Sequence, residues 1–174
     1  WRQDTSDIVS IRPQLPFDCP LDLHAAYGSN EIKAALGVAT METAGPTGTG
    51  VIHVKDLRAY LHFVTFNKSD KDFSPTNRYH DYLLNRAQLH WESMSTTTRA
   101  SVTGQNYIHF GERGYTILFF ARLNKDVAGI TSPFTYLGPA RALLHCEGDR
   151  PIRMIWELAH PVPAEMYEQN CVGG

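Results

Sequence analysis

The chain has 174 residues, of which 43% are hydrophobic and 20% are charged, and its net charge is −2. These values are typical of one globular domain with its own core, and they exclude a protein that binds nucleic acid through a large overall positive charge. No apolar run approaches the roughly 18 residues of a membrane span. Residues 1–10 also lack the apolar segment of a signal peptide.

Two further features concern the setting of the chain. It begins at Trp1 rather than at an initiator methionine, which suggests a fragment of a longer protein or a processed one. Its cysteines, Cys19, Cys146 and Cys171, are odd in number and widely spaced, so they predict neither a disulfide framework nor a cysteine-based zinc site. A reducing, cytoplasmic setting is the simpler interpretation.

Charge is distributed unevenly along the sequence. Residues 50–126 carry 10 basic and 7 acidic side chains, whereas the segments on either side are net acidic. A locally basic face can bind phosphates even on a weakly acidic protein. A solvated surface of mixed charge is an equally good interpretation of the same pattern.

The N-terminal part predicts one short helix after an irregular segment. Residues 1–20 contain three prolines and no clear hydrophobic period, which predicts an extended leader. A helix is predicted over Glu31–Leu36, with Ser29 or Asn30 as its cap and Gly37 as its end. Glu31 favours this helix because a carboxylate stabilises a helix N-terminus.

Beyond residue 50, segments rich in aromatic and β-branched residues predict about seven short strands joined by Gly, Pro and Asn turns. Both faces of the segment at 59–67 are apolar enough to be covered by other residues. Ile152–Leu158 shows the most regular alternation of apolar and polar residues. Residues 106–110 are ambiguous, and a short final helix is predicted over Ala164–Gln169. The predicted strand segments are Val51–Val54, Ala59–Asn67, Arg78–Leu84, Gln88–Ser95, Tyr115–Leu123, Thr135–Leu137, Ala140–His145 and Ile152–Leu158.

No long helical pattern separates these strands, so a parallel α/β sheet is not expected. The sequence predicts an α+β fold in which a mixed or antiparallel curved sheet forms a partly closed β-barrel with short flanking helices. The expected organisation is a leader over 1–20, a single recognition domain over 21–170 and a tail over 171–174.

Motifs for catalysis are missing from the sequence. The eight histidines include no HxxxH or HExxH pair that would bind zinc. Glu92 is followed by Ser93 and Met94, so the Glu-x-Lys of restriction-type nuclease cores is absent. The GxSxG and GxxxxGK[ST] motifs are absent too, and so is the complete HxKxxxxD motif of phospholipase-D-like nucleases. We therefore expect a binding module with no catalytic residue, metal ligand or cofactor, and a metal-dependent nuclease is the alternative.

The segment 67–104 interleaves cations, aromatic rings and small hydroxyl residues. Arg, Lys and hydroxyl side chains bind phosphates, aromatic rings stack on exposed bases, and a carboxylate can accept from the cytosine amino group. The predicted base-binding residues are Tyr79, His80, Asp81, Tyr82, Trp91, Glu92 and Ser93. The predicted phosphate-binding residues are Lys68, Lys71, Ser74, Thr76, Arg78, Arg99 and Gln105.

A structural interpretation of the same residues is open. Tyr79, Tyr82 and Trp91 fit equally well as core aromatics on adjacent strands, and Asp81 fits as an ion-pair partner of Arg78. Composition therefore leaves DNA binding as a hypothesis.

Four runs carry a resemblance to a known family: KSDKDFSPTNRYHDY, HWESMSTTT, TGQNYIHFGERGYTILFFAR and PFTYLGPARALLHCEGDRPIRMIWELAHPVP. Over roughly residues 21–163 the chain resembles a bacterial domain family, formerly of unknown function. That family lies at the C-terminus of long proteins that carry a phospholipase-D-like nuclease and a superfamily 2 helicase.

The resemblance implies a specificity domain of modification-dependent (type IV) restriction systems, which defend against phage. It implies an SRA/PUA-like barrel that flips 5-methylcytosine or 5-hydroxymethylcytosine into a pocket. The implied partners are double-stranded DNA with modified bases and the helicase and nuclease domains of the same parent chain, with a homodimer left open. No membrane contact is expected, and the implied location is the bacterial cytoplasm. A reader of modified RNA is the alternative that the sequence does not separate from a reader of DNA.

Overall fold

The computed structural model describes residues 11–38, 50–67 and 81–172. These residues form ten strands and three α-helices, with a 3₁₀ turn over Lys55–Leu57. The strands are β1 (Ala26–Tyr27), β2 (Val51–Val54), β3 (Ala59–Asn67), β4 (Tyr82–Leu83), β5 (Gln88–Glu92), β6 (Thr116–Asn124), β7 (Asp126–Val127), β8 (Ile130–Thr131), β9 (Phe134–Glu147) and β10 (Arg153–Leu158). The helices are α1 (Ser29–Ala35), α2 (Val102–Ile108) and α3 (Ala164–Val172).

One large mixed sheet organises the fold. Its strand order is β2-β3-β6-β9-β10-β5-β4, and β1 pairs with β9 outside this path. Strands β3 and β6 run parallel, while the other pairs of the described strands are antiparallel. Strands β7 and β8 form a separate two-stranded hairpin. The predicted α+β class and mixed, curved sheet are therefore confirmed.

The sheet curls without closing. Side chains of β3 and β5 are in contact, although three strands lie between them in the sheet order. Strands β2 and β4 are the two ends of the path and are not bonded to each other in the described part of the chain. The prediction of a partly closed barrel is thus not confirmed, because the ladder that would join the two edges does not form.

Strand β9 makes the curl possible. Its first half pairs with β6 and its second half with β10, and the change of partner falls at Gly138-Pro139. Gly138 has a positive φ of 87°, and proline cannot donate to a ladder, so the strand changes course there. The sequence predicted two strands flanking this dipeptide. The structure corrects this to one bent strand with irregular pairing on both sides.

Two hydrophobic clusters cover the two faces of the sheet. The first lies inside the curl and includes Tyr60 and Val64 of β3, together with side chains from β5, β6, β10, α2 and α3. The second lies on the other face, where Leu61 packs with Ile32 and Leu36 of the N-terminal region. The prediction that both faces of β3 are covered is therefore confirmed.

The helices differ from the predictions in detail. Helix α1 is capped by Gly28 rather than by Ser29 or Asn30, and Glu31 Oε1 accepts from the Gly28 amide at 2.9 Å. The ambiguous residues 106–110 include the end of α2. Among the described residues, no helix combines the length and the apolar character needed to cross a bilayer.

Helix α2 has a well-defined start. Ser101 is its N-cap, and the Ser101 hydroxyl accepts from the Gly104 amide at 3.0 Å. A Cβ on Gly104 would collide with the carbonyl oxygen of Thr98, so only glycine fits where the helix meets the preceding loop. This contact fixes α2 against one side of the curl.

Candidate base-binding site

Aromatic rings from four elements surround His62 inside the curl. We call this group the His62 cage, and its members are His62, Trp91, Tyr107, Phe119 and Trp156. The His62 ring lies 4.3 Å from the ring of Trp91, centroid to centroid, with 36° between the planes. The rings of Tyr107, Phe119 and Trp156 approach His62 edge-on, at 5.2, 5.0 and 6.4 Å. His62 is fully buried, and it joins the two halves of the curled sheet.

Three nitrogen atoms of this cage have no hydrogen-bond partner among the residues that the structure describes. Nδ1 and Nε2 of His62 and Nε1 of Trp156 are buried, and no acceptor or donor within the described residues lies within hydrogen-bonding distance of them. A buried polar group left without a partner costs about 1–3 kcal/mol of stability. Because native proteins satisfy nearly all such groups, three of them in one cluster distinguish the cage from the rest of the described core.

Burial keeps His62 neutral. It lowers the pKa of His62 to about 3, so the ring carries one N–H at neutral pH. A neutral imidazole donates through one nitrogen and accepts through the other. Trp156 adds a second donor, since indole can only donate. The cage therefore offers two donors and one acceptor between aromatic faces.

A polar network supports one wall of the cage. The buried Asn106 amide donates to the Tyr60 hydroxyl at 2.9 Å, and Arg113 donates to the Asn106 side-chain oxygen at 3.0 Å. Arg58 in turn donates to the Arg113 carbonyl at 2.9 Å. These bonds hold α2 so that Tyr107 packs edge-on against Tyr60, at 4.9 Å.

Three of the sequence-predicted base-binding residues are consecutive: Trp91 and Glu92 end β5, and Ser93 follows it. Trp91 is buried, and its ring lies against that of His62 at a tilt of 36°. Ser93 is also buried; its hydroxyl donates to the Met94 carbonyl and accepts from the Ile152 amide at 2.9 Å. Glu92 is buried, with Arg153 Nε 3.7 Å from its Oε1 atom. Trp91 alone of these three contributes a ring to the cage.

Residues of β4 and the segment before it lie elsewhere. Asp81 Oδ1 accepts from the Glu92 amide at 3.2 Å, which ties the start of β4 to β5. Tyr82 is 45% exposed and stacks on His90 at 4.4 Å, on the face of the sheet opposite to Trp91. The structure thus separates Tyr82 from Trp91, although the sequence grouped the two as walls of one pocket.

The predicted phosphate-binding residues are only partly described. Arg99 donates from Nε to the Gly148 carbonyl at 2.8 Å and from Nη2 to the Cys146 carbonyl at 3.1 Å. Gln105 donates to the Arg99 carbonyl at 2.7 Å. These bonds fasten the loop before α2 to the β9–β10 turn. The other predicted phosphate-binding residues lie outside the described part of the chain: Lys68, Lys71, Ser74, Thr76 and Arg78. The predicted base-binding residues Tyr79 and His80 lie outside it too.

His62 is the residue that the sequence interpretation missed. Alternation along β3 placed it on the same face as Tyr60 and Val64, both of which are buried. A histidine at such an inward position, with aromatic neighbours, was the available signal. Across the described residues, no group of three or more His, Cys, Asp or Glu side chains is arranged to hold a metal ion.

The fold and the cage together define a structural class. It is an α+β domain whose mixed sheet curls around a buried, polar-lined aromatic cage. The chain belongs to the family described as "Domain of unknown function (DUF3427)", whose profile matches residues 21–170. No curated protein matches the chain.

Proposed function

We propose that this chain is a non-catalytic recognition module that binds duplex DNA carrying a modified base, which is flipped out of the duplex into the His62 cage. One observation carries the proposal: three buried ring nitrogens that have no partner in the described part of the chain lie between aromatic faces. A flipped base is held by stacking and by hydrogen bonds to its Watson–Crick edge, and the cage supplies both kinds of contact.

The hydrogen-bonding groups of the cage suit a pyrimidine. The Watson–Crick edge of cytosine presents one donor and two acceptors, which complements the two donors and one acceptor of His62 and Trp156. Thymine has the same count, whereas guanine presents two donors and one acceptor. Trp91 keeps its predicted role as the stacking wall. The resemblance to modification-dependent restriction proteins favours 5-methylcytosine or 5-hydroxymethylcytosine as the modified base.

In this proposal the base reaches the buried cage when β3 and β5 separate. Strands β3 and β5 are not neighbours in the sheet, so separating them breaks side-chain contacts and no ladder hydrogen bonds. Base flipping costs a few kcal/mol, and stacking returns roughly 1–3 kcal/mol per base. Hydrogen bonds from the base to the three nitrogens also favour binding, because a buried polar group without a partner destabilises the protein before the base binds.

We also propose that the chain is one domain of a larger protein. By resemblance, we place the module beside helicase and nuclease domains of the same chain, in the bacterial cytoplasm. A methyl group is worth about 0.8 kcal/mol when buried, and a fitted pocket discriminates one such group by about 10–200-fold. Two copies in a dimer, or coupling to a motor and a nuclease, would multiply this selectivity.

The test is a titration with matched duplexes. We expect a duplex with 5-methylcytosine or 5-hydroxymethylcytosine to bind at least about tenfold more tightly than the plain duplex of the same sequence. All affinities should fall as salt rises, because phosphate contacts release counterions. Fluorescence anisotropy at three salt concentrations measures both effects.

Two controls separate the rival classes. A modified RNA of the same sequence tests for an RNA reader, and incubation of the DNA with a divalent metal tests for a nuclease. Equal affinity for modified and plain DNA at every salt concentration would remove the proposed function. If the isolated chain cleaves DNA, it is a nuclease and the proposal of a non-catalytic module is wrong.

A further inference from the structure

Three basic side chains lie together where β10 ends, and we call them the His24 cluster: His24, Arg86 and His160. His160 belongs to the short segment that follows β10. The ring of His24 donates to the carbonyl of Pro161, the next residue of that segment. Arg86 Nε donates to the Val162 carbonyl at 2.9 Å, and the Arg86 carbonyl accepts from the Val162 amide at 2.7 Å. One short stretch of backbone therefore gathers all three side chains.

The bend of β9 holds the two histidines beside each other. A Cβ placed on Gly138 would lie 3.1 Å from Leu23 Cδ1 and 3.6 Å from His160 Cδ2, so both side chains pack against this glycine. His24 follows Leu23 directly, and the His24 amide donates to the Tyr136 carbonyl at 2.8 Å. The backbone around His24 is therefore fixed to β9 at the point where His160 packs.

His24 has two uncommon features. Its φ is 66°, in the left-handed region that few residues other than glycine adopt. Backbone strain of this kind is concentrated at binding and catalytic sites. Its Nε2 atom is buried and finds no hydrogen-bond partner among the residues that the structure describes. A bound ion is one way in which native proteins satisfy such an atom.

The positive charge of the cluster is not balanced by the protein. Burial lowers the pKa of His24, and the neighbouring His160 and Arg86 lower it further. Within the described residues, no carboxylate forms an ion pair with any of the three side chains, and Asp22, two residues before His24, is paired with Arg12 at 3.0 Å. Basic groups gathered without a counter-charge attract an anion. His24 and His160 are half-buried and Arg86 is exposed, so the cluster lies at the surface.

We propose that the His24 cluster binds a phosphate group, with Arg86 and His160 donating to its oxygens and His24 donating through Nε2. The fork of donors on a guanidinium matches the geometry of phosphate oxygens. A phosphodiester can only accept hydrogen bonds, and the other ring nitrogen of His24 already donates to Pro161. The His24 ring is therefore protonated in the complex, and the phosphate supplies the missing negative charge.

The position of the cluster makes the DNA backbone the expected source of this phosphate, and for that source the inference rests on the proposed function. His160 follows Trp156 of the cage by four residues, so their Cα atoms are at most about 14 Å apart. A DNA strand advances about 3.4 Å per nucleotide along the helix axis. A phosphate within about four nucleotides of the flipped base can therefore reach the cluster while the base occupies the cage.

The first experiment measures the salt dependence of DNA binding by Arg86→Gln. We expect this variant to bind modified and plain duplex about tenfold more weakly at low salt, by the same factor, because the lost contact is to the backbone and spares the cage. The slope of log affinity against log salt should become shallower by about one. Arg141→Gln is the matched control, because it removes the same charge from a 73% exposed arginine that pairs with Glu157 at 3.4 Å. This control should keep the wild-type slope.

The second experiment uses His24→Asn, because asparagine also adopts the left-handed conformation and does not take up a proton. Affinity of wild type for the duplex should rise as the pH falls from about 7.5 to 6.5, by up to about tenfold for the one proton taken up. The variant should show a smaller rise, since His160 titrates in both proteins and Arg86 stays charged. Identical pH dependence in the two proteins would contradict the role of His24.

Inorganic phosphate separates the two sources of the ligand. The ring signals of His24 and His160 are followed by ¹H–¹³C NMR while phosphate is added to wild type and to Arg86→Gln. If the DNA affinities of the variants equal that of wild type but phosphate moves both ring signals in wild type alone, the cluster binds a free phosphate compound. If neither DNA binding nor the ring signals respond, the phosphate site is wrong. If wild type shows no preference for modified DNA while Arg86→Gln still has the shallower slope, the proposed function fails and the phosphate site stands.

Discussion

Replacing His62 by phenylalanine is expected to abolish the preference for modified DNA and to leave the protein folded and at least as stable as wild type. Phenylalanine keeps a planar ring against Trp91, and it removes the two ring nitrogens that have no partners. Substituting an apolar group of similar shape for an unsatisfied polar group is nearly neutral or stabilising. The affinity for modified duplex should fall at least about tenfold, to that for plain duplex. Anisotropy titration and urea unfolding on the same samples measure the two effects.

His53→Phe is the matched control for this variant. His53 lies on the neighbouring strand β2 and stacks on Tyr60 at 4.3 Å, so the same change is made on a histidine outside the cage. The control should bind modified DNA as wild type does. If His62→Phe is stable and keeps full preference for modified DNA, His62 is an ordinary core residue and the cage is not the base site.

The second large effect concerns stability at acid pH. The pKa of His62 is about 3 in the folded protein, because burial disfavours the charged ring, and the ordinary value of about 6.5 applies once the chain is unfolded. Below about pH 6.5 the unfolded chain takes up the proton first. The stability is therefore complete above that pH and falls as the pH decreases, until the folded form protonates near pH 3. Between about pH 7.5 and pH 5.5 this costs wild type about 1.4 kcal/mol.

The His62→Phe variant isolates this contribution. Burial also lowers the pKa of His24 and His53, and those residues destabilise both proteins equally as the pH falls. The difference in free energy of unfolding between the two proteins should therefore change by about 1.4 kcal/mol over the same pH range. Denaturant unfolding at several pH values measures it, and parallel curves would show that His62 is not buried as a neutral ring.

Regular alternation made parts of the fold predictable from sequence. The segment at 152–158 alternates, the segment at 59–67 is rich in aromatic and β-branched residues, and the structure contains strands over Arg153–Leu158 and Ala59–Asn67. The bent strand β9 was harder to predict, because Gly138-Pro139 normally ends a ladder of hydrogen bonds. In the structure the two halves of the strand pair with different neighbours. The start of α2 depends on Ser101 and on the contact of Gly104 with Thr98, which no hydrophobic period reveals.

The candidate site was less predictable for a physical reason. Composition drew attention to residues 67–104, where cations and aromatic rings are close in sequence. The His62 cage depends instead on contacts between β3, β5, β6, β10 and α2, which meet only because the sheet curls. Trp91 was predicted as a base-binding residue because it lies within residues 67–104. The inward position of His62 between apolar neighbours was the available signal, but that signal does not separate a binding histidine from an ordinary core residue.

The central claim is tested most directly by the indole N–H signal of Trp156, followed by ¹H–¹⁵N NMR while modified or plain duplex is added. Trp156 Nε1 is buried, and residues 11–38, 50–67 and 81–172 offer it no acceptor. We predict that its signal moves downfield with the modified duplex, as the indole donates to the flipped base, and stays in place with the plain one. A Trp156 signal that is unchanged while modified DNA is bound would contradict the account.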